Sequence, residues 1–110
     1  MSIFKTLPII KIINGLEVKT SEAVVVSNDY YSTNGESVVV VKEVDNCKIF
    51  LDSNTTELVV IKALTNVIVK SNELIDEEFN EVELTKGSCV EFRKIGDFWY
   101  ILSSDGLKNS

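Results

Sequence analysis

The stretch Ser37-Val38-Val39-Val40-Val41-Lys42 decides the fold class of this chain. Valine branches at Cβ, is stiff at χ1 and suits a pleated strand better than a helix. Glu22-Ala23-Val24-Val25-Val26-Ser27 repeats the pattern fifteen residues earlier. The bias runs through all 110 residues: 15 Val and 11 Ile stand against 2 Ala, the strongest helix former. The sequence therefore predicts an all-β protein of one domain.

Outward from these runs, short apolar stretches alternate with turn residues. "PIIKII" (Pro8 to Ile13) meets Asn14-Gly15 and then "LEVK" (Leu16 to Lys19), the pattern of a tight hairpin. Residues 1–20 are read as an N-terminal arm or hairpin and a possible attachment segment, and residues 21–110 as a single β domain. A polar, aromatic loop is expected from Asn28 to Glu36. "CKIFL", "ELVVIKAL", "NVIVK", "EVEL", "SCVEFRK" and "DFWYILS" follow, and strand starts recur about every ten residues. That spacing predicts an antiparallel β-sandwich or barrel-like module with short strands. "NELIDEEFNEVEL" (Asn72 to Leu84) comes nearest to a helical period, but its apolar spacing predicts at most a single turn around Asp76 to Phe79.

The valine runs carry apolar side chains on both strand faces, and a sandwich buries only one. The second face needs a cover. A second copy of the chain is expected to supply it, the alternative being the loop around Tyr30 and Tyr31 folded back as a lid. The packing or interface candidates are Val24, Val26, Val38, Val40, Phe92, Phe98, Trp99 and Tyr100. Strand alternation puts Phe98 and Tyr100 on one face and Trp99 with Ile101 on the other. Trp99, the only tryptophan, is expected to close a core or an interface with Val90 and Phe92 rather than to bind a ligand.

Little in the sequence carries chemistry. There is no histidine, hence no Ser-His or Cys-His pair and none of the commonest metal ligand. Cys47 and Cys89 lack the spacing of a zinc or redox motif and are expected as reduced thiols. The carboxylates Asp76, Glu77, Glu78, Glu81 and Glu83 lack a calcium-loop pattern and are expected to form a solvated edge. No enzyme activity, cofactor or metal is expected. The formal net charge of −6 disfavours nucleic acid and anionic membranes as partners. No signal-peptide core is recognised at the N-terminus, so synthesis in a cytoplasm is expected.

The ending "KGSCVEFRKIGDFWYILSSDGL" (Lys86 to Leu107) resembles the closing hairpin of small structural modules in virions of tailed bacteriophages. The likeness extends upstream through "VVIK" and "VIVK" to about Ser53. It implies a β-rich, usually trimeric module found in capsid-decorating proteins, head fibres and tail fibres. With so short a chain, it implies a non-enzymatic auxiliary or decoration protein of the capsid, or a head-fibre anchor. Such a protein is made in the host cytoplasm and resides in the virion, in contact with capsid or other virion proteins. A carbohydrate- or host-surface-binding tail-fibre module is the alternative.

Overall fold

A computed structural model describes residues 23–108, and the backbone alone for 105–108. The expected arm, residues 1–20, lies outside the described residues. The strands are β1 (Ala23–Val26), β2 (Tyr30–Ser32), β3 (Val38–Val41), β4 (Cys47–Leu51), β5 (Leu58–Ala63), β6 (Val67–Ile75), β7 (Phe79–Ile95) and β8 (Phe98–Lys108). They form one sheet in the order β1-β3-β5-β7-β8-β6-β4-β2, with β7 also paired to β6. No helix occurs among the described residues.

The all-β expectation is met, but the strand directions differ from an antiparallel sandwich. β1, β3 and β5 run parallel, as do β2, β4 and β6. Odd strands stack in one arm of the sheet and even strands in the other. The chain therefore winds in three coils, each with one strand in either arm. Ala23 sits beside Val38 and Val38 beside Val60; Tyr30 sits beside Lys48 and Cys47 beside Val67. The strand in the opposite arm does the work that a crossover helix does in other parallel sheets.

Alternation along each strand aims one set of side chains between the arms. Val26, Val39, Val41, Val59, Ile61 and Ala63 come from the odd arm, and Cys47, Ile49, Leu51, Val67 and Val69 from the even arm. All are buried in one cluster. The registers carry this through the stack: Val39 neighbours Ile61, and Ile61 neighbours Val90.

Where the chain passes between arms, polar side chains of successive coils bond to one another. At one corner the Asn46 N–H donates to the Asn66 carbonyl at 2.8 Å, and the Asn66 N–H donates to Asp45 Oδ1 at 3.1 Å. Lys86 N–H then donates to Asn66 Oδ1 at 3.0 Å, joining β7 to the same stack. At the other corner Thr33 and Thr56 are buried. The Asp52 N–H donates to Thr33 Oγ1, and the Gly35 N–H to Thr56 Oγ1, both at 2.9 Å. Buried backbone groups that no strand pairs are satisfied in this way. Residues 30–32, expected in a loop, form β2 on the even arm, so they are no lid over the valine strands.

The strands β7 and β8 close the stack. β7 is a continuous strand of 17 residues where sequence reading expected two short ones. Its first part pairs antiparallel with β6 (Glu81 to Leu84) and its second with β5 (Cys89 to Arg93). The chain crosses between arms at Gly87, whose φ of +96° is strained for any residue with a Cβ. β8 returns along β7 after the two-residue turn Gly96-Asp97, where Gly96 has φ +63° at the first central position, as a type II′ hairpin requires.

Candidate functional site

The eight packing or interface candidates divide cleanly. Val26, Phe92 and Trp99 are fully interior, and Val24 packs against the same cluster from the first coil. Burying Trp99 and Phe92 contributes about 2–3 kcal/mol each. Val38 and Val40 point the other way and are half-buried, because their neighbours Val39 and Val41 point inward. Phe98 and Tyr100 also point outward, flanking the buried Trp99, with rings edge-to-face at 6.5 Å and 83°.

The outward candidates share one surface. On the odd arm, the registers set Val25 beside Val40, Val40 beside Lys62 and Lys62 beside Cys89. A second row runs Ala23, Val38, Val60, Glu91 and Ser103, and a third Leu58, Arg93 and Tyr100. Val25 is 59% exposed and Leu58 38%. Within these rows the only charges on β1, β3, β5 and β7 are Lys62, Glu91 and Arg93. The even arm's outer rows carry Tyr30, Lys48, Ile68 and Glu83, then Ser32, Phe50, Lys70 and Glu81. That face is polar and internally paired, with Lys70 Nζ 3.7 Å from Glu81. The odd face is the apolar one.

A second polar feature closes the C-terminal end of the stack. The β6–β7 turn holds Asp76 and Glu77 at φ +54° and +61°. From there the Asp76 N–H donates to the Trp99 carbonyl at 2.7 Å, and Asp76 Oδ1 accepts the Ile101 N–H at 3.0 Å. One aspartate thus occupies the outer edge of β8 much as a pairing strand would. The Tyr100 hydroxyl donates to Glu77 at 2.7 Å, which pushes the phenol's pKa up; burial and the charges of Glu77 and Asp76 add to this.

Beneath this turn, Ser71–Leu74 of β6 oppose the single residue Asn80 of β7, forming a bulge. Glu73 in that bulge accepts from Ser53 Oγ at 2.9 Å, Ser71 Oγ at 3.1 Å and Trp99 Nε1 at 3.2 Å. Burial alone would raise its pKa. The bonds from Ser53, Ser71, its own backbone N–H and Trp99 outweigh that and lower it. Near the first coil, Glu36 is buried and accepts from the Tyr31 hydroxyl and from Asn34 N–H. The Tyr31 phenol is pushed up to about 12, by burial first and then by the hydrogen bond to Glu36 and its charge.

Sequence reading grouped Asp76, Glu77, Glu78, Glu81 and Glu83 as one solvated edge. In the fold Asp76 and Glu77 hold β8, while Glu81 faces Lys70. Among the described residues no group of three or more His, Cys, Asp or Glu converges on a point where a metal ion could sit. The roles of Asp76, Glu73 and Glu36 were missed. The signals available were Asp-Glu at a turn and a lone glutamate beside a Tyr-Tyr pair. A hollow lined by Asn46, Asn66, Val67, Ile68, Glu83, Leu84 and Thr85 opens at the asparagine corner. No known protein-family model matches this chain, and no curated protein matches it.

Proposed function

We propose that this chain is a non-enzymatic structural subunit of a bacteriophage virion. In this reading it is an auxiliary or decoration protein of the capsid, or the anchor of a head fibre. The observation that carries the proposal is a rigid coiled scaffold with one apolar outer face and separate structural tasks for its carboxylates. Such a body binds by shape and apolar area. The resemblance of Lys86 to Leu107 to the closing hairpins of virion modules supplies the context. The tail-fibre alternative needs a flat aromatic platform for sugar. Phe98 and Tyr100 meet edge-to-face at 83° and present none, which favours the capsid reading.

The test is the protein composition of density-gradient-purified particles from the phage that encodes the chain. The chain is expected in full heads after a high-salt wash, because an apolar contact resists salt that would screen a charged one. Its presence in the infected-cell lysate together with its absence from washed particles would refute the proposal.

A further inference from the structure

We infer that the apolar outer face of the odd arm is covered by a second copy of this chain. The inference deepens the virion reading and rests on it only for any larger assembly, since two like faces that meet pair two protomers and a trimer needs a further, heterologous contact. The face spans β1, β3, β5, the second part of β7, and β8. With strands about 4.8 Å apart and about 3.3 Å per residue, it is roughly 24 Å by 16 Å. A ridged face of that outline offers several hundred Å² of accessible surface, the scale each partner contributes to a small specific interface. Its apolar residues are Val25, Val38, Val40, Leu58 and Val60, with the free thiol of Cys89 among them.

Charge selects the partner. The whole chain carries 17 acidic and 11 basic side chains, so most approaches of two copies are repulsive. The odd face is instead close to neutral: Lys62 and Glu91 lie in the rows that contain the valines, Arg93 lies in the row of Leu58, and Asp105 of β8 pairs in register with Cys89. Among the described residues Lys62 Nζ reaches the Gly87 carbonyl at 3.4 Å, and Arg93 has no carboxylate partner. Among the described residues Glu91 accepts a 3.3 Å bond from Ser103 Oγ. When two such faces meet, the cations of one copy can pair with Glu91 of the other, while the valines lose water. A strongly cationic partner would meet Lys62 and Arg93 unfavourably.

Cys89 makes the face readable by the rate at which its thiol reacts. The other thiol, Cys47, is buried, and its pKa is raised by burial and by the Asp29 charge, with Lys48 opposing, so it reacts slowly. The experiment is light scattering of the full chain from about 0.1 to about 100 µM, the range in which weak and stable interfaces separate. The rate of Cys89 with a disulfide thiol reagent is read in parallel. Val25→Glu and Glu91→Lys serve as variants, since both sites face outward and neither fills the core.

The expected result is a multiple of the 12.3 kDa protomer with Cys89 protected. Both variants then fall to the protomer mass, regain Cys89 reactivity and keep the wild-type circular dichroism. A wild-type monomer with reactive Cys89 overturns the inference. A monomer with protected Cys89 also overturns it, since residues of the same chain then cover the face. A multimer that both variants leave intact places the interface elsewhere and overturns it too. A monomer that still bands with particles refutes self-association alone; a multimer absent from particles refutes the virion reading alone.

Discussion

Glu73→Ala tests the joint that holds the closing hairpin to the coils. The carboxylate takes hydrogen bonds from three separate places: the turn after β4 through Ser53, β6 through Ser71, and β8 through Trp99. Trp99 is 0% exposed, so the truncation leaves its indole N–H buried without an acceptor, at a cost of about 1–3 kcal/mol. Ser53 is half-buried and its hydroxyl can turn towards water, adding a few tenths, while the buried Ser71 hydroxyl loses its acceptor and adds somewhat more. The predicted loss is about 2–3 kcal/mol, or roughly 10–15 °C in Tm for a domain of this size. Urea unfolding followed by Trp99 emission and by circular dichroism measures it. Glu73→Gln keeps an acceptor but not the charge and is expected to lose about half as much. In a double-mutant cycle, Trp99→Phe and Glu73→Ala should couple by about 1 kcal/mol or more. The pH dependence follows from the direction of the shift. The folded carboxyl titrates below its ordinary value of 4.5, so its stabilisation is complete above that value and is lost as pH falls through the folded pKa. The gap between wild type and Glu73→Gln should therefore be full near neutrality and shrink in acid. A Glu73→Ala variant within about 0.5 kcal/mol of wild type at neutral pH, or a coupling near zero, would refute the account.

Three further outcomes are expected. Asp76→Ala removes the acceptor for Ile101 N–H and puts a Cβ-bearing residue without a local hydrogen bond at φ +54°. It should cost about 1–2 kcal/mol in thermal unfolding, and Asp76→Asn distinctly less, since Asn tolerates that region and keeps an acceptor. Gly87→Ala should lower stability by about 1–2 kcal/mol through φ +96° alone, because nothing lies within 4 Å of the added carbon. The Tyr31 phenol is held protonated up to about 12 against an ordinary 10, so stability should be whole below pH 10 and fall as pH rises through 12; Tyr31→Phe should flatten that fall in an alkaline denaturation series.

The valine runs made the strand content legible, and their doubly apolar pattern made an outer apolar face legible. Trp99 was read as closing a core or an interface with Val90 and Phe92, and alternation separated it from Phe98 and Tyr100; the core is where it lies. Strand direction was not legible. The usual cue for parallel strands is a helix between them, and here the intervening element is another strand. The coil period was hidden by its irregularity: Ala23 to Val38 is 15 residues, whereas Val38 to Val60 is 22. A spacing of ten residues between strands therefore looked like consecutive hairpins, when it was half a coil. "EVEL" and "SCVEFRK" read as two strands because Gly87 between them punctuates turns, yet β7 runs through Gly87 by bending from one arm to the other. Asp76 looked like one carboxylate among several, because its partners on β8 lie more than twenty residues away.

The two ends of the stack are built differently, and this bears on how the protein joins other molecules. At the C-terminal end, beside the single register pair of β6 and β8 at Ile75 and Trp99, Asp76 bonds the same side of β8 through both its N–H and its carboxylate, and Trp99 fills the space behind. An edge blunted in that way resists strand addition. At the other end, β1 is the last strand of the odd arm among the described residues, with no charge, no proline and no bulge from Ala23 to Val26. Its outer side chain, Val25, belongs to the apolar face. Growth of the β structure is therefore disfavoured at the closed end, and both apolar routes of contact meet at β1.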